Sequence, residues 1–198
     1  RHFSLLCVDG FDDATLTLIF STIVENSLKS GYDGSVSAAS KSIVEATMRT
    51  YREAMLSLLP TPSKSHYTFN LRDFSRVIQG VLMQQPSDEY ASKAAVMRLW
   101  THEALRVFGD RLTDDKDRGW FVGHARAMCK EVFREDFDEE FEKLKPEGAD
   151  SVDYATMRRV FWGDYMSPAD DEDRPYREVA DLAELQEKVD QSLADFNS

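Results

Sequence analysis

The segment from Tyr67 to Gly80 constrains the fold most, because a full set of helix-start signals precedes a run with helical periodicity. Asn70 is a favourable N-cap, since its side-chain oxygen can accept hydrogen bonds from the unpaired amides of a first turn. Asp73 follows three residues later and can accept from the Asn70 amide, which would complete a capping box. The sequence therefore predicts that a helix begins directly after Asn70.

The spacing gives this helix two different faces. Phe69 and Phe74 flank its start as a hydrophobic staple. Arg72 and Arg76 fall opposite the apolar face, where two guanidiniums beside a helix N-terminus suit an anion such as phosphate. The simpler alternative is a solvated face whose arginines pair with carboxylates of neighbouring helices. The predicted buried face consists of Phe74, Val77, Ile78 and Val81.

Composition excludes several classes of partner. The chain has 198 residues, 42% of them hydrophobic and 30% charged, as in an ordinary folded domain. Its net charge of −12 argues against nucleic-acid binding and against adhesion to anionic membranes. It contains no apolar run long enough to span a bilayer. We therefore expect neither nucleic acid nor membrane as a partner.

The two cysteines and the start of the chain bear on its origin. Cys7 and Cys129 lack metal-type spacing, which favours reduced, buried thiols of a cytosolic protein over a disulfide or a zinc site. The chain begins at Arg1, with no initiator methionine and no signal-like segment. We therefore expect a piece of a larger polypeptide.

Periodicity, caps and proline positions predict an all-α fold. A segment over Phe3–Val8 is compatible with one short N-terminal β-strand, which cannot form a sheet alone. Pro60 and Pro62 are expected to end a long second helix, since proline cannot continue the hydrogen-bond ladder. The first helix is expected to begin at Asp12 or Asp13 and to bury one face, formed by Leu16, Ile19, Phe20, Ile23 and Val24. The other expected helices run from Ser35 to about Leu59, follow Asn70, open at Ser87, run from Asp114 to Phe133 with Thr113 as cap, and cover 135–144, 154–161 and 181–196.

An acidic, proline-bearing connector over 163–175 separates the helical body from a trailing helix. That helix has Leu182, Leu185, Val189 and Leu193 at heptad-like spacing, with a polar remainder. A polar amphipathic helix of this kind usually packs on something outside itself. We therefore expect the trailing helix to contact another domain, and the spacing is compatible with a coiled coil.

Three common motifs of nucleotide-binding and hydrolytic enzymes are missing from the sequence. It contains no Gly-x-x-x-x-Gly-Lys-Ser/Thr loop, no Gly-x-Ser-x-Gly elbow and no His-Glu-x-x-His pair. The run Asp114–Gly119 has acidic residues out of register for a calcium loop, so a helix-capping corner is favoured over calcium binding. We expect no catalytic residue and no resident metal in this chain.

Charged and aromatic residues in the middle of the chain have structural interpretations. Helical i,i+4 spacing favours an ion-pair network over a site. The three tryptophans are expected to be core anchors. The network would involve His102, Glu103, Arg106, Asp110 and Arg111, and the anchors are Trp100, Trp120 and Trp162.

The stretch from Leu59 to Gly80 closely resembles a segment of axonemal dynein heavy chains, in the helical lid of the third AAA+ module of the motor ring. The resemblance covers essentially the whole chain. Further matching segments are Trp100–Glu103, Arg106–Leu112, Phe161–Met166 and Asp173–Val179, the last two resembling the connector toward the fourth module. Arg1–Phe3 resembles the end of the third module's α/β core, and Asp195–Asn197 the lead-in to the fourth.

The resemblance implies a role for individual residues. In AAA+ proteins a sensor-II arginine on the lid reaches the nucleotide held by the core of the same module. Arg72 matches that position, so the resemblance implies that it binds ATP or ADP. Arg1 lies near the region of a trans-acting arginine finger, and Arg76 is expected to be structural.

The resemblance also implies a division of the chain and a function. Residues 1–10 would end an α/β core, 11–166 would form the lid with extra helices, and 167–198 would be the connector and the lead-in helix. The chain would be a non-catalytic part of an ATP-driven, minus-end-directed microtubule motor, relaying the nucleotide state of the third module.

The implied partners are neighbouring AAA+ cores, microtubules, and dynein intermediate and light chains, in the cytoskeleton of a cilium or flagellum. ATP or ADP with Mg²⁺ would bind the intact motor, not this chain alone. The alternative is a stand-alone, acidic helical interaction module; a calcium-responsive helical protein is a third option.

Overall fold

The computed structural model describes residues 3–7, 10–29, 31–87, 90–146, 148–167, 174–179 and 181–197. Within these ranges the fold is built almost entirely from α-helices, as the periodicity predicts. The helices are α1 (Asp13–Ser27), α2 (Gly34–Ala38), α3 (Ser40–Ser57), α4 (Leu71–Val81), α5 (Lys93–Val107), α6 (Asp115–Met128), α7 (Phe137–Phe141), α8 (Tyr154–Met157) and α9 (Leu182–Phe196).

Short irregular elements complete the chain. A π-helical turn, Cys129–Phe133, continues α6 and ends at Arg134, whose φ of 60° is left-handed. Single 3-10 turns follow α5 and α7, at Gly109–Arg111 and Glu142–Leu144. Two antiparallel two-residue strands, β1 (Trp162–Gly163) and β2 (Arg177–Glu178), bring the connector back to the helical body.

The expected N-terminal strand is absent from the described part of that segment. Residues 3–7 have no strand pairing, and Val8 lies outside the described residues. Phe3, Leu5 and Leu6 are each more than 90% exposed. A strand exists only through hydrogen bonds to a neighbour, and no described strand lies beside this segment.

The long helix expected from Ser35 to Leu59 is divided into α2 and α3, which meet at Ala39. The Asp33 side chain accepts from the Ser35 amide at 2.8 Å, so a separate cap starts α2. Val36 of α2 is fully buried. The break lets the short helix α2 pack against both α3 and α5.

The caps of α5 and α6 differ from the expected ones. Ser92 instead of Ser87 starts α5, and Asp114 instead of Thr113 starts α6. Each capping side chain accepts from the amide three residues later, at 3.1 Å in α5 and 2.9 Å in α6. Residues 88–89, expected in the first turn of α5, lie outside the described residues. Helices α7 and α8 are also shorter than predicted.

Phe74 joins three helices at the centre of the core. It is fully buried, and its ring centroid lies 4.4 Å from that of Phe20 in α1 and 6.0 Å from that of Tyr51 in α3. On α1 only Leu16, Phe20 and Val24 are buried, whereas the expected core residues Ile19 and Ile23 are exposed. The buried stripe is thus narrower than predicted, with one residue per turn.

A second centre of the core lies around Trp100, which is fully buried as predicted. Its indole Nε1 donates to Thr47 Oγ1 at 3.0 Å, so the one polar atom of the ring is satisfied. Cys129 is also buried, and burial raises the pKa of its thiol to about 12. Cys7 is exposed and forms no disulfide with Cys129, so the expectation of two buried thiols is wrong for Cys7.

The trailing helix α9 has no buried residue. Leu182 and Leu185 are partly buried, while Val189 and Leu193 are at least half exposed. Its packing on another domain, and any coiled coil, stay predictions. None of the described helices has the length and apolar character required to cross a membrane.

Replacing Phe74 by alanine should lower the free energy of unfolding by about 3 to 5 kcal/mol, because it would leave a cavity where three helices meet. Phe196→Ala is the matched control: its ring is 86% exposed, and the change should stay within about 0.5 kcal/mol. Urea denaturation of both variants measures the difference. Equal losses would contradict this assignment of the core.

Candidate functional site

The start of α4 forms the capping box that the sequence predicts. The Asn70 side chain accepts from the Arg72 amide at 2.9 Å, and the Asp73 carboxylate accepts from the Asn70 amide at 2.9 Å. Arg72 is therefore the second residue of a helix whose start is fixed by two hydrogen bonds, one from each partner of the capping box. The remaining first-turn amides give this end a positive partial charge.

A buried ion pair anchors the same turn. Asp73 has a side chain only 2% exposed, and Arg111 donates to its two carboxylate oxygens at 2.5 and 3.3 Å. The Arg111 guanidinium also lies over the Phe69 ring, 5.4 Å from its centroid. Arg111 comes from the 3-10 turn after α5, so this pair joins the beginning of α4 to the end of α5.

Arg72 is exposed at the border of two surface depressions. One, of about 360 Å³, is also lined by His66, Arg76 and Arg111. The other, of about 580 Å³, has an apolar side formed by Phe20 with Leu71. Among the described residues, no carboxylate forms an ion pair with Arg72.

Arg76 lies one turn further along α4 and is loosely held. Its nearest ion-pair partner is Asp73 at 3.7 Å, and its side chain is 62% exposed. The predicted structural role rests on this weak contact, because Arg111 is the close partner of that carboxylate. Arg1, the other predicted nucleotide-binding position, lies outside the described residues.

The loop before α4 is tied to α6. The Tyr67 hydroxyl donates to Asp117 at 2.8 Å, and Lys64 Nζ pairs with Asp117 at 2.5 Å and also with Asp114. His66 Nε2 contacts the Arg111 carbonyl oxygen at 2.9 Å. Asp114 therefore caps α6, and both aspartates bind side chains of the loop. No group of three metal-ligating side chains occurs in the part of the chain that is described.

The predicted ion-pair network between 102 and 111 is only partly formed. Arg106 and Asp110 make the expected i,i+4 pair at 2.8 Å. Arg111 instead reaches Asp73, and Glu103 accepts from the Tyr176 hydroxyl at 2.5 Å. Sequence spacing could not reveal these two contacts, because in each pair the two residues are more than 35 positions apart in the chain.

The arrangement can bind an anion but offers no chemistry for bond cleavage. Arg72 and Arg76 add two exposed positive charges to a helix N-terminus, while Asp73 is already neutralised by Arg111. Such a surface favours a phosphate or carboxylate group brought by another domain or ligand. The described residues near it include no nucleophile paired with a general base.

The fold and this surface define a recognisable class of domain. Residues 43–144, just over half of the chain, match the family described as the AAA+ lid domain. The chain therefore belongs to the AAA+ lid domain family. Helices α4 to α7, with the exposed arginine at the start of α4, lie within the matched region.

The whole chain is also similar to axonemal dynein heavy chains. It is 42% identical to dynein axonemal heavy chain 12 of Mus musculus, and the match covers 100% of this chain and 6% of that protein. Identity is 40% to heavy chain 3 of Homo sapiens and 34% to heavy chain 1 of Mus musculus, covering 5% and 4% of them. The resemblance noted from the motifs is confirmed, and the stand-alone alternative is not favoured.

Asp73→Ala should lower the free energy of unfolding by about 3 kcal/mol, because it removes the capping carboxylate and leaves Arg111 without its partner. Arg76→Ala should change it by less than about 0.5 kcal/mol, since its contact is long and exposed. Urea titration of both variants distinguishes the two. A large loss for Arg76→Ala would contradict the assignment of Arg111 as the main partner of Asp73.

His102 makes stability depend on pH. Burial lowers its pKa to about 4, and Nδ1–H donates to the Val160 carbonyl oxygen at 2.9 Å. Between pH 6.5 and 4 the unfolded chain binds a proton that the folded chain does not. Stability contributed by His102 is therefore lost as pH falls through this range, by up to about 3 kcal/mol.

Two neighbouring effects shape the same profile. Burial raises the pKa of Glu103, which opposes the effect of His102, and burial lowers the pKa of His124, which adds to it. His102→Asn keeps a donor near the Val160 carbonyl but does not titrate, so urea midpoints should fall less between pH 6.5 and 4.5. Exposed His66→Asn is the control, and an unchanged slope in His102→Asn would contradict the assignment.

Proposed function

We propose that this chain is the helical lid of the third AAA+ module in the motor ring of an axonemal dynein heavy chain, with Arg72 as its nucleotide-sensing residue. Membership of the AAA+ lid family and similarity over the whole chain to axonemal dynein heavy chains support the ring. The motif match over 59–80 supports the third module. The proposal covers about a twentieth of the length of such a heavy chain.

The observation that carries the proposal is the exposed guanidinium of Arg72, which forms no ion pair with any described residue. The residue beside it, Asp73, is buried and engaged by Arg111, so it cannot neutralise Arg72. The capping box holds the backbone at this point, which limits where the Arg72 side chain can reach. A phosphate brought by the adjoining core would find a positioned positive charge at a helix N-terminus.

The nucleotide itself would be held mainly by residues outside this chain. ATP or ADP supplies the phosphate charge to which Arg72 responds, and Mg²⁺ would accompany it. The sequence has no phosphate-binding loop, and the described residues offer no carboxylate cluster for a metal. Arg72 would therefore contribute one contact that strengthens with the γ-phosphate and weakens after hydrolysis, shifting the lid between two positions.

The proposed setting extends the similarity to axonemal dynein heavy chains. Neighbouring AAA+ cores of the same heavy chain would pack on the lid, and the connector would lead to the fourth module. Microtubules and the dynein intermediate and light chains would be reached through the complete motor. The location would be the axoneme of a cilium or flagellum. In this setting the chain relays a nucleotide state and has no ATPase activity alone.

Arg72→Ala in a motor domain containing this segment should weaken nucleotide affinity at the third site by about 10- to 100-fold, since one charge-assisted hydrogen bond to phosphate is lost. Binding of a fluorescent ATP analogue measures the change, with the other ring sites inactivated by substitutions in their own phosphate loops. The thermal midpoint of the lid should stay unchanged, because Arg72 makes no ion pair within the described part of the lid.

Arg72→Lys and Arg76→Ala are the matched variants. The lysine keeps the charge but loses the planar donor geometry, so an intermediate loss of affinity is expected. Arg76→Ala removes an equal charge one turn away and should leave affinity within about twofold, since a surface charge outside the contact adds little. Unchanged affinity in Arg72→Ala, or an equal loss in Arg76→Ala, would contradict a specific sensor role.

A further inference from the structure

Residues 174–179, at the end of the acidic stretch, are called the connector below. Backbone hydrogen bonds dock this segment on the helical body. Its β2 pairs with β1, bringing Glu178 opposite Trp162. The Val179 amide donates to the Phe161 carbonyl oxygen at 2.9 Å, and a bridge joins Tyr176 to Gln84 just after α4. The connector therefore touches the end of α4 that lies opposite Arg72.

One buried carboxylate brings α4, α5 and the connector together. Glu103 of α5 lies directly against Gly80 of α4, where any Cβ would overlap its carboxylate. The same carboxylate accepts from the Tyr176 hydroxyl of the connector at 2.5 Å. The missing side chain at position 80 thus lets α4 approach closely enough for all three segments to share this group.

A second polar contact lies nearby. Arg98 of α5 donates to both carboxylate oxygens of Glu178, at 3.1 to 3.2 Å, and to Glu140 at 2.8 Å. The ion pair is partly exposed, with side-chain exposures of 24% to 29%. These polar contacts hold the segment together with apolar ones, since Val179 is buried and the Tyr176 ring centroid lies 6.3 Å from that of Trp162.

Three polar groups line a cavity at the same joint. The cavity, of about 570 Å³, lies between the connector and the body, and Gln84, Tyr90 and Trp162 border it. Each of these residues is buried, and Gln84 Oε1, the Tyr90 hydroxyl and Trp162 Nε1 have no hydrogen-bond partner among the described residues. Docking of the connector therefore supplies no hydrogen bond to these three groups.

We propose that the Glu103–Tyr176 contact is a releasable clasp that holds the connector on the lid, with Glu103 and Tyr176 as positioning residues. The docked arrangement is favoured by the clasp and by Arg98–Glu178, and it gains no hydrogen bond from the three polar groups that line the cavity. A movement of α4 displaces Gly80 relative to Glu103 and so changes the clasp. This relay rests on the proposed function, in which Arg72 moves the other end of α4.

Hydrogen exchange of the 198-residue chain tests the clasp without nucleotide. Tyr176→Phe removes only the hydroxyl, and exchange of the Val179 amide should accelerate by about 10- to 100-fold, the usual range for losing one hydrogen bond to a charged group. The Leu58 amide, which donates a hydrogen bond to the Ala54 carbonyl oxygen of α3, should exchange at the wild-type rate. An unchanged rate at Leu58 also shows that the variant is folded.

Tyr165→Phe is the matched control, because Tyr165 is close to the same strand and its hydroxyl has no partner among the described residues. It should leave the exchange of Val179 unchanged. Equal Val179 exchange in Tyr176→Phe and wild type, or an equal acceleration in Tyr165→Phe, would overturn the clasp.

A motor measurement separates the clasp from the sensor. In the motor domain, Arg72→Ala removes a direct contact with the nucleotide, whereas Tyr176→Phe acts only through the coupling along α4. Because such coupling is reciprocal, Tyr176→Phe should change nucleotide affinity at the third site less than Arg72→Ala does. An equal loss of affinity in the two variants would overturn the separation of roles. A failure of Arg72→Ala alone would remove the proposed sensor while leaving the exchange result, and with it the clasp, intact.

Discussion

The buried ion pair between Asp73 and Arg111 is the contact on which the arrangement around α4 depends. Asp73 accepts from the Asn70 amide and from Arg111, so one carboxylate fixes both the start of α4 and its position against the end of α5. A buried carboxylate without these donors would be strongly destabilising. Because Asp73 is used in this way, the adjacent Arg72 is left exposed without a competing negative charge.

The two ends of α4 have different surroundings, and this difference gives the helix its proposed role. At its N-terminus, a capping box and an exposed arginine face a shallow, positively charged surface. Near its C-terminus, Gly80 allows Glu103 to reach Tyr176 of the connector. Between them, Phe74 packs on α1 and α3, so the helix is held by core contacts along its length. A rigid helix with a contact at each end can transmit a displacement from one to the other.

Local signals were the part of the fold that could be predicted well. The capping box at Asn70, the buried face of α4 and the end of α3 before Pro60 all depend on residues within one or two turns. Predictions were less accurate where several signals competed, as at Ser87 and Ser92 or at Thr113 and Asp114, because any of these side chains can cap a helix. Ile19 and Ile23 of α1 were wrongly assigned to the core. Periodicity shows which side of a helix is apolar but does not give the width of the stripe that becomes buried.

The sequence by itself determined that the chain is helical, where α4 starts, and that Arg72 lies on its polar face, because these properties follow from neighbouring residues. Its motifs also carried the resemblance to axonemal dynein heavy chains. Only the tertiary structure decided which carboxylates the arginines meet: Arg111 with Asp73, and Arg98 with Glu178, are separated by 38 and 80 positions in the chain. Packing of helices sets such long-range pairs. It also leaves Arg72 without an ion-pair partner in the described part of the chain, and it places Glu103 against Tyr176 of the connector.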